Sequence, residues 1–290
     1  MTRISDDIKN KSVLTKEEWK EYTKTVWSIA NVSHPIHPAV FPVEIPHRLI
    51  KLFSFWGETV LDPFAGSGST AIAANKIGRQ AICVEQNADY GNIIRDRVKD
   101  ECNSTKDLKV VVGDSRDLGH IADDSIDLIV TSPPYWDKAN YGLGVDNIGN
   151  IQSYTDFLGE MRQVFAECAR VLRPGRKMCV VTANVNQHTD HGLLTFPLST
   201  DFATSMRDVG LVMINEIIWS KDKTGGKWGS ANGQRPIFGS YPYPPNFLFK
   251  NVHEYVIIFA KPPSVRTKGS KVRAYEDLMR LSVPTHMAAE

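Results

Sequence analysis

The sequence contains few cysteines, almost no net charge and no long apolar run. Its four cysteines form no Cys-x-x-Cys pair, which argues against a zinc knuckle or a disulfide framework and predicts reduced, mostly buried thiols. The 34 Lys and Arg nearly balance 33 Asp and Glu, so a polyanionic partner would have to be met by local basic patches. No apolar stretch approaches the roughly 20 residues that span a bilayer, and no signal peptide is recognisable, so we expect a cytoplasmic protein with no membrane partner.

The 290 residues have the mixed composition of a globular protein, which excludes disordered and fibrous classes. Near the start, Thr15 and Glu18 form a capping box that predicts a helix carrying Trp19 and Trp27. Farther along, short apolar segments alternate with amphipathic helical segments, giving about seven strands. This alternation predicts an α/β fold, a doubly wound and mostly parallel sheet whose last two strands form an antiparallel hairpin at its edge.

Unusual residues follow the first three predicted strands, at the sheet edge where doubly wound folds bind ligands. Asp62 precedes a turn that contains Gly66 and Gly68 and leads into a helix. Glycines permit a tight turn and close approach of a ligand, and the helix N-terminus offers free N–H groups. The next two strands end at Glu85 and Asp114, acceptors that suit ribose hydroxyls and a purine amine. These positions predict a site for an adenosine-containing cofactor.

The glycine-rich turn also fits the pattern G-x-G-x-x-G/A, so a nicotinamide oxidoreductase or a plain strand-to-helix turn are alternatives for this segment alone. The segment after the fourth strand, Ser132-Pro133-Pro134-Tyr135, discriminates between them. The Ser132 hydroxyl and the Pro133 carbonyl can accept hydrogen bonds from an exocyclic amine, and Tyr135 can stack on a base. A bare Pro-Pro-aromatic segment is also typical of a rigid turn. Its occurrence beside a cofactor turn favours a pocket for a planar amine.

Residues 62–70 and 132–135 together resemble the cofactor and catalytic motifs of the prokaryotic amino-group DNA methyltransferases, which modify cytosine N4 or adenine N6. The resemblance extends from about Trp27 to Lys261 and implies a Rossmann-like methyltransferase sheet that binds S-adenosyl-L-methionine. It implies that the first motif holds the methionine part, Glu85 the ribose and Asp114 the adenine. The residues that it implies for cofactor binding are His37, Phe41, Asp62, Phe64, Gly66, Ser67, Gly68, Thr70, Glu85 and Asp114.

Ser-Pro-Pro-Tyr is the variant usually seen in N4-cytosine enzymes, whereas Asn or Asp at the first position is more usual for adenine. The resemblance therefore implies a cytosine-N4-specific enzyme with Ser132, Pro133, Pro134 and Tyr135 as catalytic residues. Because the amine lies inside double-stranded DNA, we expect the target base to be flipped out of the duplex. We also expect a role in a restriction–modification system with a companion endonuclease. Adenine-N6 methylation and a catalytically silent DNA-binding subunit are the alternatives. The cofactor motif precedes the catalytic motif, so the order is permuted relative to many members.

A basic, Gly- and Pro-rich segment at 221–250 carries five basic residues against Asp222 alone and is interleaved with aromatic residues. Such a segment favours contact with phosphates and bases, although a solvated surface loop has the same composition. The DNA contacts that we expect are Lys223, Lys227, Trp228 and Arg235.

His188 and His191 lie in a predicted loop without a matching ligand motif, so no metal site is expected there. The predicted organisation is an N-terminal helical extension at 1–30, a methyltransferase domain at 31–262 that includes the segment 221–250, and a C-terminal tail at 263–290.

Overall fold

The computed structural model describes residues 4–31, 41–136, 147–221, 243–245, 249 and 251–263. The helices in these ranges are α1 Asp6–Lys11, α2 Lys16–Tyr22, α3 Glu44–Phe53, α4 Ser69–Lys76, α5 Ala88–Cys102, α6 Tyr154–Val171 and α7 Leu198–Asp208, with a 3₁₀ turn at Ile148–Asn150. The strands are β1 Val26–Ser28, β2 Thr59–Asp62, β3 Gln80–Glu85, β4 Leu108–Val112, β5 Ile126–Thr131, β6 Leu172–Thr182, β7 Val185–Thr189, β8 Gly192–Phe196, β9 Val212–Ser220 and β10 His253–Ala260.

Eight of these strands form one sheet in the order β1-β9-β10-β6-β5-β2-β3-β4. Neighbouring strands are parallel except at β10, which runs antiparallel to both β6 and β9. The chain builds outward from β2 through β3 to β4 and then returns to place β5 on the other side of β2. This reversal puts a topological switch point between the carboxyl ends of β2 and β5, the position at which such sheets bind ligands.

Helices cover both faces of the sheet, so the central strands are buried on both sides. Every residue of β5 is buried, which explains why four of its six residues are large and apolar. One apolar cluster includes residues of α6 and α7, and the other, on the opposite face, includes residues of α3, α4 and α5. The predicted doubly wound, mostly parallel α/β sheet is confirmed.

Two details of the sheet differ from the sequence-based prediction. The antiparallel pair β9–β10 exists, but it does not form the edge, because β1 pairs with β9 on its outer side. Trp27 therefore lies on β1 and not on a helix, and its side chain is buried in the sheet core. The eight-residue spacing of Trp19 and Trp27 resembles one helical face, whereas the helix ends before Trp27. Because β1 falls within residues 1–30, this part of the predicted N-terminal extension belongs to the sheet.

The segment with His188 and His191 is also not a loop. It forms the antiparallel hairpin β7–β8, in which Val185 pairs with Phe196 and Thr189 with Gly192. All but one of the hairpin residues are at least partly exposed, so the polar sequence of β7 lacks the apolar–polar alternation that predicts a strand. All four cysteines are free, and three of them are buried, in agreement with their predicted role as apolar core residues.

Candidate active site

Asp62 is the last residue of β2 and lies at the switch point of the sheet. Its side chain is 1% exposed, and its Oδ1 accepts hydrogen bonds from the Thr131 hydroxyl at 2.7 Å and from the Phe64 N–H at 3.1 Å. The second carboxylate oxygen, Oδ2, is buried and has no hydrogen-bond partner within the described residues. Because Thr131 immediately precedes Ser132, the two predicted motifs are joined by a direct hydrogen bond.

Burial raises the pKa of the Asp62 carboxyl from 3.8 to about 6, because a charged form is disfavoured away from water. The hydroxyls of Thr70 and Thr131 and the N–H of Phe64 act in the opposite direction but do not cancel the effect of burial. A buried acid with one unpartnered oxygen and a raised pKa is a frequent feature of ligand sites. A bound cofactor could supply the hydrogen-bond donor that Oδ2 of Asp62 lacks.

The glycine-rich turn follows Asp62 and leads into α4. Gly66 and Gly68 both have positive φ, 50° and 88°, and Gly68 caps the N-terminus of α4. A residue from an earlier part of the chain also contacts the turn, because the Ser69 hydroxyl donates to the Phe41 carbonyl at 2.9 Å. Phe41 is thereby held beside the turn.

Two side chains of this motif have hydrogen-bond partners within the protein. The Ser67 hydroxyl and carbonyl both accept hydrogen bonds from Arg97 of α5, at 3.0 and 2.7 Å. The Thr70 hydroxyl lies 3.4 Å from the Val130 carbonyl of β5. Both side chains fix the turn against its neighbours, and Arg97 is a supporting residue that the sequence motif does not reveal.

Glu85 is the last residue of β3, and Asp114 lies two residues after the end of β4. The Glu85 carboxylate accepts from the N–H of Gly66 at 2.8 Å and of Asn87 at 3.0 Å, and burial raises its pKa. Asp114 accepts from the backbone N–H and the guanidinium of Arg116. Burial raises the pKa of Asp114, but the hydrogen bonds and charge of Arg116 outweigh burial and leave the pKa lowered. Both acids therefore lie at one edge with Asp62.

The residues that follow the end of β5, without regular secondary structure, are Ser132, Pro133, Pro134 and Tyr135. The two prolines are buried, and Ser132 and Tyr135 are half-buried. The Ser132 hydroxyl makes no hydrogen bond within the described part of the chain. It is therefore available to a substrate amine.

Aromatic packing fixes the segment beyond Tyr135. The ring of Trp136 contacts those of Tyr154 and Phe196, with centroid distances of 4.9 and 4.6 Å, and its Nε1 donates to the Gln152 carbonyl at 3.2 Å. Tyr154 donates to Asp201 at 2.6 Å, and burial, followed by this contact, raises the pKa of its hydroxyl. The chain directly after the predicted catalytic motif is thus anchored on α6 and on the β7–β8 hairpin.

Some predicted site residues fall in parts of the chain that the structure does not describe. His37 and the expected DNA contacts Lys223, Lys227, Trp228 and Arg235 lie outside the described residues. Lys221, which the sequence counts with the basic segment, is 4% exposed and forms an ion pair with Glu254. Its charge is neutralised inside the protein and does not contribute to a basic surface.

The described residues contain no cluster of three or more potential metal ligands, and none of their helices is long and apolar enough to cross a membrane.

The strand order, the acid and glycine turn after β2 and the Ser-Pro-Pro-Tyr segment after β5 define a Rossmann-like methyltransferase. A family model described as DNA methylase (N6_N4_Mtase) matches residues 2–96 and 126–283. The chain belongs to this DNA methylase family, and its predicted cofactor, S-adenosyl-L-methionine, is confirmed with the family. The predicted membership of the amino-group DNA methyltransferase family is therefore confirmed, and the match does not distinguish the N4-cytosine group from the N6-adenine group.

Individual relatives match only part of the chain. Type II methyltransferase M.MjaI of Methanocaldococcus jannaschii is 37% identical over 99 residues, which is 32% of each chain. Type II methyltransferase M.MthZI of Methanothermobacter thermautotrophicus is 27% identical over 165 residues, which cover 53% of this chain and 44% of the relative. The solved structure of a putative DNA modification methylase from Thermus thermophilus with S-adenosyl-L-methionine is 28% identical, with a TM-score of 0.38, over 60% of this chain and 59% of that chain. The chain thus spans less than half the length of these two curated relatives.

The residues at the strand ends fit this cofactor on chemical grounds. The unpartnered Oδ2 of Asp62 can accept a donor from the cofactor. Glu85 and Asp114 supply acceptors at the neighbouring strand ends for the hydroxyl and amine groups of an adenosine. The backbone at Gly66 and Gly68, without side chains, leaves room for close approach.

Gly68→Ala is expected to destabilise the ligand-free protein by about 2 kcal/mol or more. A residue with a side chain is strained at a φ of 88°, and the added Cβ would lie 3.2 Å from Cγ2 of Ile94. Urea unfolding measures the change. Gly159→Ala is the matched control, since Gly159 lies within α6 with open space around it and should gain up to about 1 kcal/mol. Equal effects of the two substitutions would contradict the strained turn.

Proposed function

We propose that this protein is a site-specific DNA methyltransferase that uses S-adenosyl-L-methionine to methylate the N4 amino group of a flipped cytosine. The observation that carries the proposal is the 2.7 Å hydrogen bond between Thr131 and Asp62. This bond holds the Ser-Pro-Pro-Tyr segment against the cofactor turn, so an amine bound by one lies beside a methyl donor bound by the other. Serine at position 132, where Asn or Asp is more usual for adenine, supports cytosine as the target base.

The chemistry requires the acceptor amine to be activated and oriented. The N4 lone pair is conjugated into the cytosine ring and is a poor nucleophile until the nitrogen becomes pyramidal. The Ser132 hydroxyl and the Pro133 carbonyl accept its two N–H groups and favour that geometry, while Tyr135 stacks on the ring. When bound, S-adenosyl-L-methionine supplies a methyl group activated by its sulfonium. Orientation of the reactants can contribute about 7–11 kcal/mol, which makes positioning the main source of rate.

No covalent enzyme intermediate is needed for direct transfer to an amine. The cysteines are consistent with this route, because Cys83, Cys168 and Cys179 are buried and burial raises the pKa of each thiol. A thiol needs a lowered pKa to act as a nucleophile near neutral pH. Ser132 is itself a weak base, so the amine proton is expected to leave after methyl transfer.

Residues 222–250 are the proposed DNA-recognition segment, with Lys223, Lys227, Trp228 and Arg235 as phosphate or base contacts. The type II methyltransferases among the relatives support a role in DNA modification. We further propose that the protein acts in a restriction–modification system with a companion endonuclease.

The test of the proposed base is the identity of the methylated nucleoside. Purified protein is incubated with S-adenosyl-L-methionine and unmodified DNA, and the DNA is digested and analysed by mass spectrometry against isomer standards. We expect N4-methylcytosine. Detection of N6-methyladenine would be compatible with the proposed cofactor site and mechanism. It would show that Ser132 does not determine which base is methylated. Duplex binding without any methylated product would favour the silent DNA-binding subunit.

A further inference from the structure

Tyr135, the stacking residue of the proposed pocket, is held by a residue far away in the chain. Its hydroxyl donates a 2.8 Å hydrogen bond to Oε2 of Glu254 on β10. The two residues are 119 positions apart. They meet because β10 runs antiparallel to β6, which brings the start of β10 to the edge at which β5 ends.

Glu254 is in turn held by Lys221, the residue that follows β9. The Lys221 ammonium forms an ion pair with Oε1 of Glu254, and the two side chains are only 5% and 13% exposed. The ammonium also lies 4.2 Å from the ring centroid of Trp219, and the Lys221 N–H donates to the Val252 carbonyl at 2.8 Å. Each oxygen of the Glu254 carboxylate therefore has its own partner, which fixes the plane of the carboxylate.

A buried ion pair needs an explanation other than stability. The cost of removing two charges from water often equals or exceeds their attraction, so apolar side chains of similar volume frequently serve stability as well. A fixed carboxylate does offer something that an apolar side chain does not, which is a directional acceptor for the Tyr135 hydroxyl. A tyrosine with a bound hydroxyl keeps its ring in one orientation.

We propose that Glu254, fixed by Lys221, is a positioning residue that holds the ring of Tyr135 in the orientation required to stack on the flipped base. The inference rests on the proposed function, because it assigns a role within the same catalytic pocket. Lys221 and Glu254 also flank residues 222–250, so one contact ties both ends of the proposed recognition segment to the catalytic motif.

Three variants test the proposal in single-turnover methyl transfer to unmodified DNA. Tyr135→Phe removes only the hydroxyl, the double variant Lys221→Met/Glu254→Met removes its anchor, and the triple variant combines them. We expect the first two to slow transfer about 10- to 100-fold, the range expected for a small misplacement of a reacting group. The triple variant should be no slower than the double variant, because the hydroxyl and its anchor act as one unit. Dissociation constants for DNA and cofactor should stay within about 2-fold.

Tyr255→Phe is the control, since it removes a neighbouring hydroxyl that contacts His253 within the same strand. It should transfer at the wild-type rate. A wild-type rate in Tyr135→Phe, or in the folded double variant, would overturn the proposal, as would equal slowing by Tyr255→Phe. Should the double variant fail to fold, Tyr135→Phe decides the question, because it leaves the ion pair in place.

The proposed function can fail separately. If the wild-type protein methylates adenine, the same rates test the positioning role at the other amine. If the wild-type protein transfers no methyl group, a double-mutant cycle of Tyr135→Phe and Glu254→Gln in urea unfolding tests the contact itself. The absence of methyl transfer would itself refute the proposed function. In that case, coupled effects would show that Tyr135 and Glu254 interact without a role in catalysis, and additive effects would show that they do not interact.

Discussion

Ser132→Ala is expected to lower the rate of methyl transfer about 100- to 1000-fold, the usual cost of losing one preorganised hydrogen-bonding group at a reacting centre. The substitution removes the acceptor that favours a pyramidal amine and leaves the Pro133 carbonyl as the remaining acceptor. The Ser132 hydroxyl has no partner within the described residues, so its loss should not disturb the fold. The expected result is therefore a specific loss of catalysis in a stable protein.

Single-turnover kinetics, cofactor titration and thermal unfolding separate these effects for Ser132→Ala. The rate should fall while the cofactor dissociation constant and the melting temperature stay near their wild-type values. Ser205→Ala, in the buried side of α7, is the control and should retain the wild-type rate. Retention of the full rate in Ser132→Ala would remove serine from the proposed mechanism.

Asp62→Asn is expected to stabilise the ligand-free protein and weaken cofactor binding. The folded protein raises the pKa of Asp62 to about 6 from 3.8, so the folded state binds a proton more tightly than the unfolded state. Ionisation of Asp62 therefore lowers the free energy of unfolding as the pH rises between these values, by up to about 3 kcal/mol. Asparagine keeps an acceptor for Thr131 and Phe64 without the charge. At pH 7.5 we expect a gain of about 1–3 kcal/mol, which should shrink towards pH 5.

The same substitution removes a carboxylate that a cationic donor of the cofactor would use. Loss of a charge-assisted hydrogen bond costs about 1.5–3 kcal/mol, or roughly 10- to 100-fold in affinity. In the wild-type protein, affinity should also fall as the pH drops through about 6 and Asp62 becomes protonated. Urea unfolding and calorimetric titration of S-adenosyl-L-methionine at pH 5 and 7.5 measure both effects.

Asp117→Asn, a change at an exposed acid that accepts from the Gly119 N–H, is the control for Asp62→Asn and should alter neither quantity. Tighter cofactor binding by Asp62→Asn, or a loss of stability at pH 7.5, would show that the buried carboxylate is not a strained cofactor ligand. Functional sites commonly contain residues, such as a buried carboxylate, that lower the stability of the ligand-free protein but are needed for ligand binding.

The sequence predicts most of the fold because the relevant signals are local. A buried strand, a glycine turn and a helix start are each encoded within a few residues, so the positions of Asp62 and Ser132 at strand ends follow from short segments. The prediction that Trp27 lies on a helix is wrong, because the three residues of a short strand show too little periodicity to be distinguished from the end of a helix. Local signals also fail for the β7–β8 hairpin, whose exposed side chains give no alternation.

Local sequence thus determines the chemistry of this protein: the acids at the strand ends, the glycine-rich turn and the Ser-Pro-Pro-Tyr segment. The tertiary structure alone decides which of these groups meet. The hydrogen bond from Thr131 to Asp62, the insertion of β10 beside β6 and the contact of Tyr135 with Glu254 all join residues that are far apart in the chain. Lys221 has the same sequence character whether its charge faces DNA or is buried against Glu254. Only the packing of remote segments sets the solvent exposure and the partners that distinguish the two cases.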